Sequence, residues 1–199
     1  MVLMAGGRSG EARSYKNEDA SISSIGDPQI HPPGKRHMSR EEDKQAAYAH
    51  YVKSWNSLGT NDFSDALREI EQAIALRPEN ALYHFAKGNV HCKSGAYRAA
   101  EDSYKHAHGL RQQWTDPLRA LGGMAYDRNL FDEAKRWYEA VVKIEPQVDA
   151  LTLLANIYLN EDPELAWMHA SHALTLDPTW EEAIALRDEA LEKVRRSRK

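Results

Sequence analysis

The sequence predicts an all-α fold: a right-handed α-solenoid of antiparallel helix pairs that ends in a C-terminal capping helix. Between turn residues, the apolar positions follow the period of an amphipathic helix. Small and aromatic residues also recur every 34 residues, in two parallel series: Ala66, Ala100 and Ala134, and Phe63, Tyr97 and Phe131. A period of this length is typical of stacked two-helix units that bury their apolar faces against one another.

Composition and charge restrict the class of protein. The chain has 199 residues, a formal net charge of −4 and one cysteine, Cys92. One cysteine cannot form an internal disulfide, and a slightly acidic balance provides no general attraction for nucleic acid. No apolar run approaches the roughly 20 residues that span a bilayer, and the N-terminal residues match a signal peptide poorly. We therefore expect a cytoplasmic protein that neither binds nucleic acid nor inserts into a membrane.

Residues 1–38 differ in composition from the rest of the chain. They are rich in glycine, serine and charged residues and show no sustained apolar period. Such a segment cannot bury enough apolar surface to offset its ordering entropy, so we expect a disordered N-terminal arm. Ser39 and Glu42 then have the spacing of a capping box, which predicts the start of the first helix.

Residues 39–199 are predicted to form one domain of four helix pairs and a capping helix. The first helix has an apolar stripe at helical spacing: Tyr48, Tyr51, Val52, Trp55 and Leu58. Asp116-Pro117 and Asp162-Pro163 each combine a capping residue with a proline at the first helical position, and each predicts a helix start. We place the units at about 46–79, 80–114, 115–147 and 148–178, and the capping helix at 179–199.

The third unit carries a distinctive series of small, bulky and aromatic residues: Leu118, Leu121, Gly122, Phe131, Ala134, Tyr138, Ile144 and Pro146. The second unit repeats part of it, with Gly88 and Tyr104. In this pattern, residues 46–178 resemble the tetratricopeptide repeat family. The resemblance implies that the glycines let the two helices of a pair approach closely, while the aromatic residues fill the gap to the next pair. The first helix of the first unit fits the pattern poorly.

The resemblance also implies a protein-binding groove. In the family, the first helix of each pair lines the concave face. Carrying those positions over gives a set of aromatic, amide, guanidinium and small residues: Tyr51, Trp55, Phe85, Asn89, Arg119, Gly123, Tyr126, Thr152 and Asn156. Such a surface suits a peptide or a partner helix. The three residues Tyr51, Trp55 and Phe85 are equally compatible with packing in the core.

Gly123 lacks the packing reason that the family pattern gives Gly122. A second glycine inside a helix costs about 1 kcal/mol relative to alanine. We expect it to leave a shallow notch beside Arg119 and Tyr126, where a partner's backbone or side chain approaches. Local sequence drift is the alternative explanation.

Some members of the family bind the terminal carboxylates of heat-shock chaperones through lysines and asparagines at fixed groove positions. Asn89 fits one of these positions. However, Phe85, Asp116 and Ala120 occupy positions where the family has basic residues. An acid there repels a terminal carboxylate, so the sequence predicts no such clamp.

The sequence contains no motif for catalysis, a cofactor or a metal ion. His84 and His91 lie two helical turns apart, about 10.5 Å, which is too far for two imidazoles on one ion. We expect a non-enzymatic adaptor or assembly subunit that binds a protein partner, with a homodimer or a larger assembly left open. The alternative is a dedicated chaperone of secreted proteins, similar in size and architecture to the translocator chaperones of type III secretion.

Overall fold

The computed structural model describes residues 39–198, and all regular secondary structure in this range is α-helical. Its helices are α1 (Arg40–Gly59), α2 (Phe63–Leu76), α3 (Ala81–Lys93), α4 (Tyr97–Leu110), α5 (Asp116–Asp127), α6 (Phe131–Ile144), α7 (Val148–Tyr158), α8 (Pro163–Leu176) and α9 (Glu181–Ser197). The predicted all-α fold is confirmed. The predicted disordered arm, residues 1–38, lies outside the described residues.

Consecutive helices pack as pairs, α1 with α2, α3 with α4, α5 with α6 and α7 with α8, and α9 packs on the last pair. A Cβ atom on Gly88 would lie 2.5 Å from the ring of Tyr104, and one on Gly122 would lie 2.9 Å from the ring of Tyr138. Both distances are shorter than van der Waals contact. Glycine is therefore required at both positions for the helices of a pair to approach.

The turn inside each of the first three pairs contains one residue with a left-handed backbone. The φ angle is 60° at Asn61, 81° at Gly95 and 59° at Asn129. Asparagine and glycine tolerate this conformation better than other residues. Because the three residues are again 34 positions apart, the same turn is built three times.

Two predicted helix starts are confirmed by their capping hydrogen bonds. The Ser39 hydroxyl accepts the Glu42 N–H at 3.2 Å, and the Glu42 carboxylate accepts the Ser39 N–H at 2.7 Å. The Asp162 carboxylate accepts the Leu165 N–H at 3.0 Å. Each bond satisfies an amide that has no partner within the helix.

The predicted cap at Asp116 is wrong by one residue. Asp116 is itself the first residue of α5, and Thr115 is the N-cap without a side-chain capping bond. The Asp116 carboxylate instead accepts hydrogen bonds from the Trp114 indole and the Arg119 guanidinium. Competition from these two donors, one of which is charged, explains the difference.

The helix predicted from the apolar stripe of α1 is confirmed, but the stripe is buried for only part of its length. Tyr48 and Trp55 are 59% and 55% exposed, and Val52 is also exposed. The side that α1 buries consists of Ala47, Ser54 and Leu58. α1 packs chiefly on α2, and among the described residues no earlier helix pair covers its aromatic side.

His84 and His106 take part in packing. The ring of His84 stacks on that of His106 with centroids 4.1 Å apart, and His84 Nε2 lies 2.6 Å from the Pro78 carbonyl oxygen. Within residues 39–198, no three His, Cys, Asp or Glu side chains are grouped as a metal ion would need. No helix in that range has the length and apolarity to cross a bilayer.

Candidate partner-binding groove

Contacts between the first helices of neighbouring pairs bring some of the predicted groove residues together. Hydrogen bonds cross directly from α5 to α7, and aromatic contacts join α1 to α3. We refer to the surface formed by α3, α5 and α7 as the odd-helix face; its residues are Phe85, Asn89, Arg119, Gly123, Tyr126 and Asn156.

Arg119 is the central charged residue of the odd-helix face. Its guanidinium donates to Asp116 Oδ1 at 2.9 Å and to Asp149 Oδ2 at 2.8 Å. The other oxygen of Asp116 accepts the Trp114 indole N–H at 2.7 Å. Burial opposes the charge of Arg119, but the neighbouring Asp149 and Asp116 outweigh it and raise the pKa of the guanidinium. One cation is thus held between two carboxylates, and the pair to Asp149 links α5 to α7.

A second polar link crosses the same two helices. The Tyr126 hydroxyl donates to Asn156 Oδ1 at 3.1 Å, and the ring of Tyr126 meets the ring of Phe131 edge-on, with centroids 5.6 Å apart. Asn156 is exposed and Tyr126 is half-buried. The amide nitrogen of Asn156 therefore lies on the surface, next to an aromatic ring.

The predicted aromatic anchors differ in how much surface they offer. Phe85 is half-buried between Tyr104 and Trp114, with ring centroids at 5.6 and 4.9 Å. Tyr51 packs on the buried ring of Tyr83 at 5.6 Å. Trp55 is 55% exposed. Only the indole of Trp55 projects freely, so Phe85 and Tyr51 serve both packing and surface.

Three predicted residues remain, and each has a distinct position. Asn89 accepts the Tyr104 hydroxyl at 2.8 Å. Gly123 is partly exposed, and a Cβ atom there would meet only the Tyr138 hydroxyl oxygen, at 3.7 Å. Thr152 is 6% exposed, and its hydroxyl donates to the Val148 carbonyl within the same helix. Thr152 therefore presents almost no surface, and we leave it out of the odd-helix face.

Two residues beside the face were not predicted from the sequence as groove residues. Trp114 lies between α4 and α5, and its position just before Asp116-Pro117 was the available signal, since an aromatic residue there reaches both helices. Tyr138 belongs to the repeated aromatic series and was assigned to packing. Its ring does pack, but its hydroxyl lies under Gly123.

Repeated helical hairpins with glycine–tyrosine packing define a class of α-helical repeat proteins, and the comparisons with known proteins agree. Residues 51–117 match the family described as "Tetratricopeptide repeat". The match supports the assignment of this chain to that family.

The similar proteins extend this result. Serine/threonine-protein phosphatase 5 of Rattus norvegicus is 28% identical over 121 residues, which are 60% of this chain and 23% of the phosphatase. The chain thus spans less than a quarter of that relative. Pseudomonas aeruginosa PilF has a similar fold, with a TM-score of 0.64 and 18% identity over 77% of this chain and 71% of its own. YrrB, described as a TPR protein with an unusual peptide-binding site, has a TM-score of 0.56 and 19% identity over 76% and 88%.

Proposed function

We propose that this protein is a non-enzymatic adaptor or assembly subunit that binds a peptide or helix of a partner protein along the odd-helix face. The observation that carries the proposal is the arrangement around Arg119, where polar groups of α5 and α7 lie in one row beside the half-buried rings of Trp114 and Tyr126. Tryptophan, tyrosine and arginine dominate the energy of protein interfaces. Trp114, Tyr126 and Arg119 supply all three residue types here.

The polar groups of this row are placed for exchange with a partner. Arg119 and Asn156 are exposed, and Tyr126 is half-buried. Surface ion pairs and hydrogen bonds of this kind contribute little to stability in water, about 0–1 kcal/mol each. A partner can therefore replace one of these bonds at small cost while it covers the aromatic surface.

The charges of the face restrict the partner. Arg119 is already paired with Asp116 and Asp149, which leaves the cluster with a net negative charge. A partner's terminal carboxylate is disfavoured at this position. A neutral or basic segment is favoured, since it does not add a third negative charge. No observation on the described residues favours the alternative of a chaperone for secreted proteins.

The test is affinity purification from the native cell with mass spectrometry. The variant Arg119→Glu with Tyr126→Ala reverses the central charge and removes an aromatic ring. A matched control, Arg136→Glu with Trp167→Ala, makes the same kinds of change at exposed positions of α6 and α8. We expect the partner to be lost with the first variant and retained with the control. A partner retained equally by both would contradict the proposed binding face.

A further inference from the structure

Two equivalent tyrosines of the repeat have different surroundings on the first helix of their pair. Tyr104 and Tyr138 are 34 positions apart, and each packs its ring on the glycine of its own pair. At the next position on the first helix, the second unit has Asn89 and the third has Gly123. The units also differ at Phe85 and Cys92, which correspond to Arg119 and Tyr126, but the asparagine is the residue that accepts the tyrosine hydroxyl in the second unit.

In the second unit the tyrosine hydroxyl is satisfied within the protein. Tyr104 is 2% exposed, and its hydroxyl donates to Asn89 Oδ1 at 2.8 Å. This unit therefore offers no donor to a ligand.

In the third unit, Gly123 stands where the second unit has Asn89, so the Tyr138 hydroxyl has no equivalent acceptor. Tyr138 is also 2% exposed, but among the described residues no hydrogen bond ties its hydroxyl to another group. Its oxygen lies 3.7 Å from the position that a Cβ atom on Gly123 would take, and nothing else lies within 4 Å of that position. The hydroxyl thus ends at a gap that opens on the odd-helix face. Tyr138 Oη is not one of the buried side-chain atoms that lack a partner, which agrees with an oxygen that reaches solvent through this gap.

The hydroxyl is a donor at neutral pH. Burial raises the pKa of Tyr138, and the negative charges of Asp149 and Asp127 raise it further. The proton therefore stays on the oxygen and is available to an acceptor that enters the gap.

We propose that the Tyr138 hydroxyl is a ligand-binding group: it donates a hydrogen bond to a backbone carbonyl oxygen of an extended partner segment that crosses Gly123. The inference rests on the proposed function, since it names the group and the chemistry by which the odd-helix face holds its partner. Glycine is the residue that lets another backbone come this close.

The surrounding charges select a carbonyl over a carboxylate. Asp149 and Asp127 are near enough to perturb Tyr138. The neighbouring cation Arg119 is already paired with two carboxylates. A negatively charged acceptor would face net repulsion here, whereas a peptide carbonyl carries no net charge.

N-methylacetamide, the smallest mimic of a peptide bond, tests the site directly on the full chain. We expect its titration to give a saturable shift of the backbone amide resonance of residue 123 in NMR spectra of the wild type. The shift should disappear in Tyr138→Phe, which removes one oxygen, and in Gly123→Asn, which restores the arrangement of the second unit. Sodium acetate should give a weaker response. Equal responses in wild type and Tyr138→Phe, or a stronger response to acetate, would overturn the inference.

A peptide selected from a random library against the wild-type protein gives the second test. One neutral hydrogen bond corresponds to about a 3- to 10-fold change in affinity, so we expect Tyr138→Phe to weaken the peptide by that factor. Gly123→Asn should weaken it more. The matched control, Tyr104→Phe, should leave the affinity unchanged. Both tyrosine variants keep the ring, and thermal unfolding verifies that each is folded.

The result separates this inference from the proposed function. The affinity for the peptide can fall in Arg119→Glu with Tyr126→Ala and stay at the wild-type value in Tyr138→Phe. That result supports the binding face and overturns the role of Tyr138. A peptide whose affinity is unaltered by all of these substitutions contradicts both the binding face and the role of Tyr138.

Discussion

Gly122 and Gly123 are adjacent on α5, yet side chains at the two positions meet different surroundings. A Cβ atom on Gly122 would lie 2.9 Å from the Tyr138 ring, whereas one on Gly123 would make only an ordinary contact at 3.7 Å. We expect Gly122→Ala to lower the free energy of unfolding by about 1–3 kcal/mol, because the ring must shift. Gly123→Ala should raise it by about 0.5–1 kcal/mol, because alanine favours the helix.

Urea denaturation followed by circular dichroism measures both changes. Gly88→Ala, with its Cβ atom 2.5 Å from the Tyr104 ring, is a second variant that we expect to be destabilised. If Gly123→Ala lost as much stability as Gly122→Ala, the gap above Tyr138 would not be open.

At the scale of residues, the sequence predicts the role of Gly122 well and the role of Gly123 in part. The packing role of Gly122 follows from the repeat, since an aromatic residue returns opposite it in each unit. The opening at Gly123 could be expected from the absence of a packing reason. The hydroxyl beneath it could not, because periodicity identifies a ring that packs but does not say which atom accepts its hydrogen bond.

The helix α2 gives a pH-dependent prediction at the scale of the element. Asp62 caps it by accepting the Asp65 N–H at 3.0 Å, and the Ser64 hydroxyl donates to the same oxygen at 2.8 Å. These two hydrogen bonds lower the pKa of Asp62 below its usual value. A carboxyl with a depressed folded pKa stabilises the protein above its unfolded pKa of about 3.9, and this contribution is lost as the pH falls through the folded pKa.

Thermal unfolding between pH 6 and about pH 2.5 checks this prediction. We expect the wild type to exceed Asp62→Ala in Tm at pH 6, and this difference to shrink as the pH falls below about 4. The control is Asp62→Asn, which keeps an oxygen for the cap but does not titrate. A difference between wild type and Asp62→Ala that stayed constant with pH would contradict the role of the ionised cap.

Helix limits follow closely from sequence where local hydrogen bonds decide them, and less closely where tertiary contacts compete. The capping box at Ser39 is a local feature and was predicted correctly. Asp116 was taken as a cap, but two donors from outside the capping motif draw its carboxylate away. The exposed side of α1 has the same kind of explanation, since the apolar period shows an amphipathic helix but not which neighbours cover it.

At the scale of the molecule, stacked repeats depend on the helix that covers the last one. Buried residues of α9 complete two apolar clusters: Ala183 packs with Leu151 and Ala173, and Ala190 with Leu159 and Ala166. We expect truncation after Asp177 to expose these clusters, which should cause aggregation and lower the urea midpoint, because terminal repeats need a polar cover.

Size-exclusion chromatography and urea denaturation measure this effect. A shorter truncation, after Val194, removes only the basic end of α9 and should retain most of the stability. An unaltered elution volume and midpoint after the longer truncation would show that α9 does not act as a cap.

The difference between Asn89 and Gly123 also breaks the translational symmetry of the stack. Identical units would hold an extended chain equally well in several registers, one repeat apart. In the binding mode that we propose, a chain that slides from the third unit to the second loses its hydrogen bond, because the hydroxyl there already belongs to Asn89. In this binding mode, a single glycine therefore sets the register of the partner chain along the repeats.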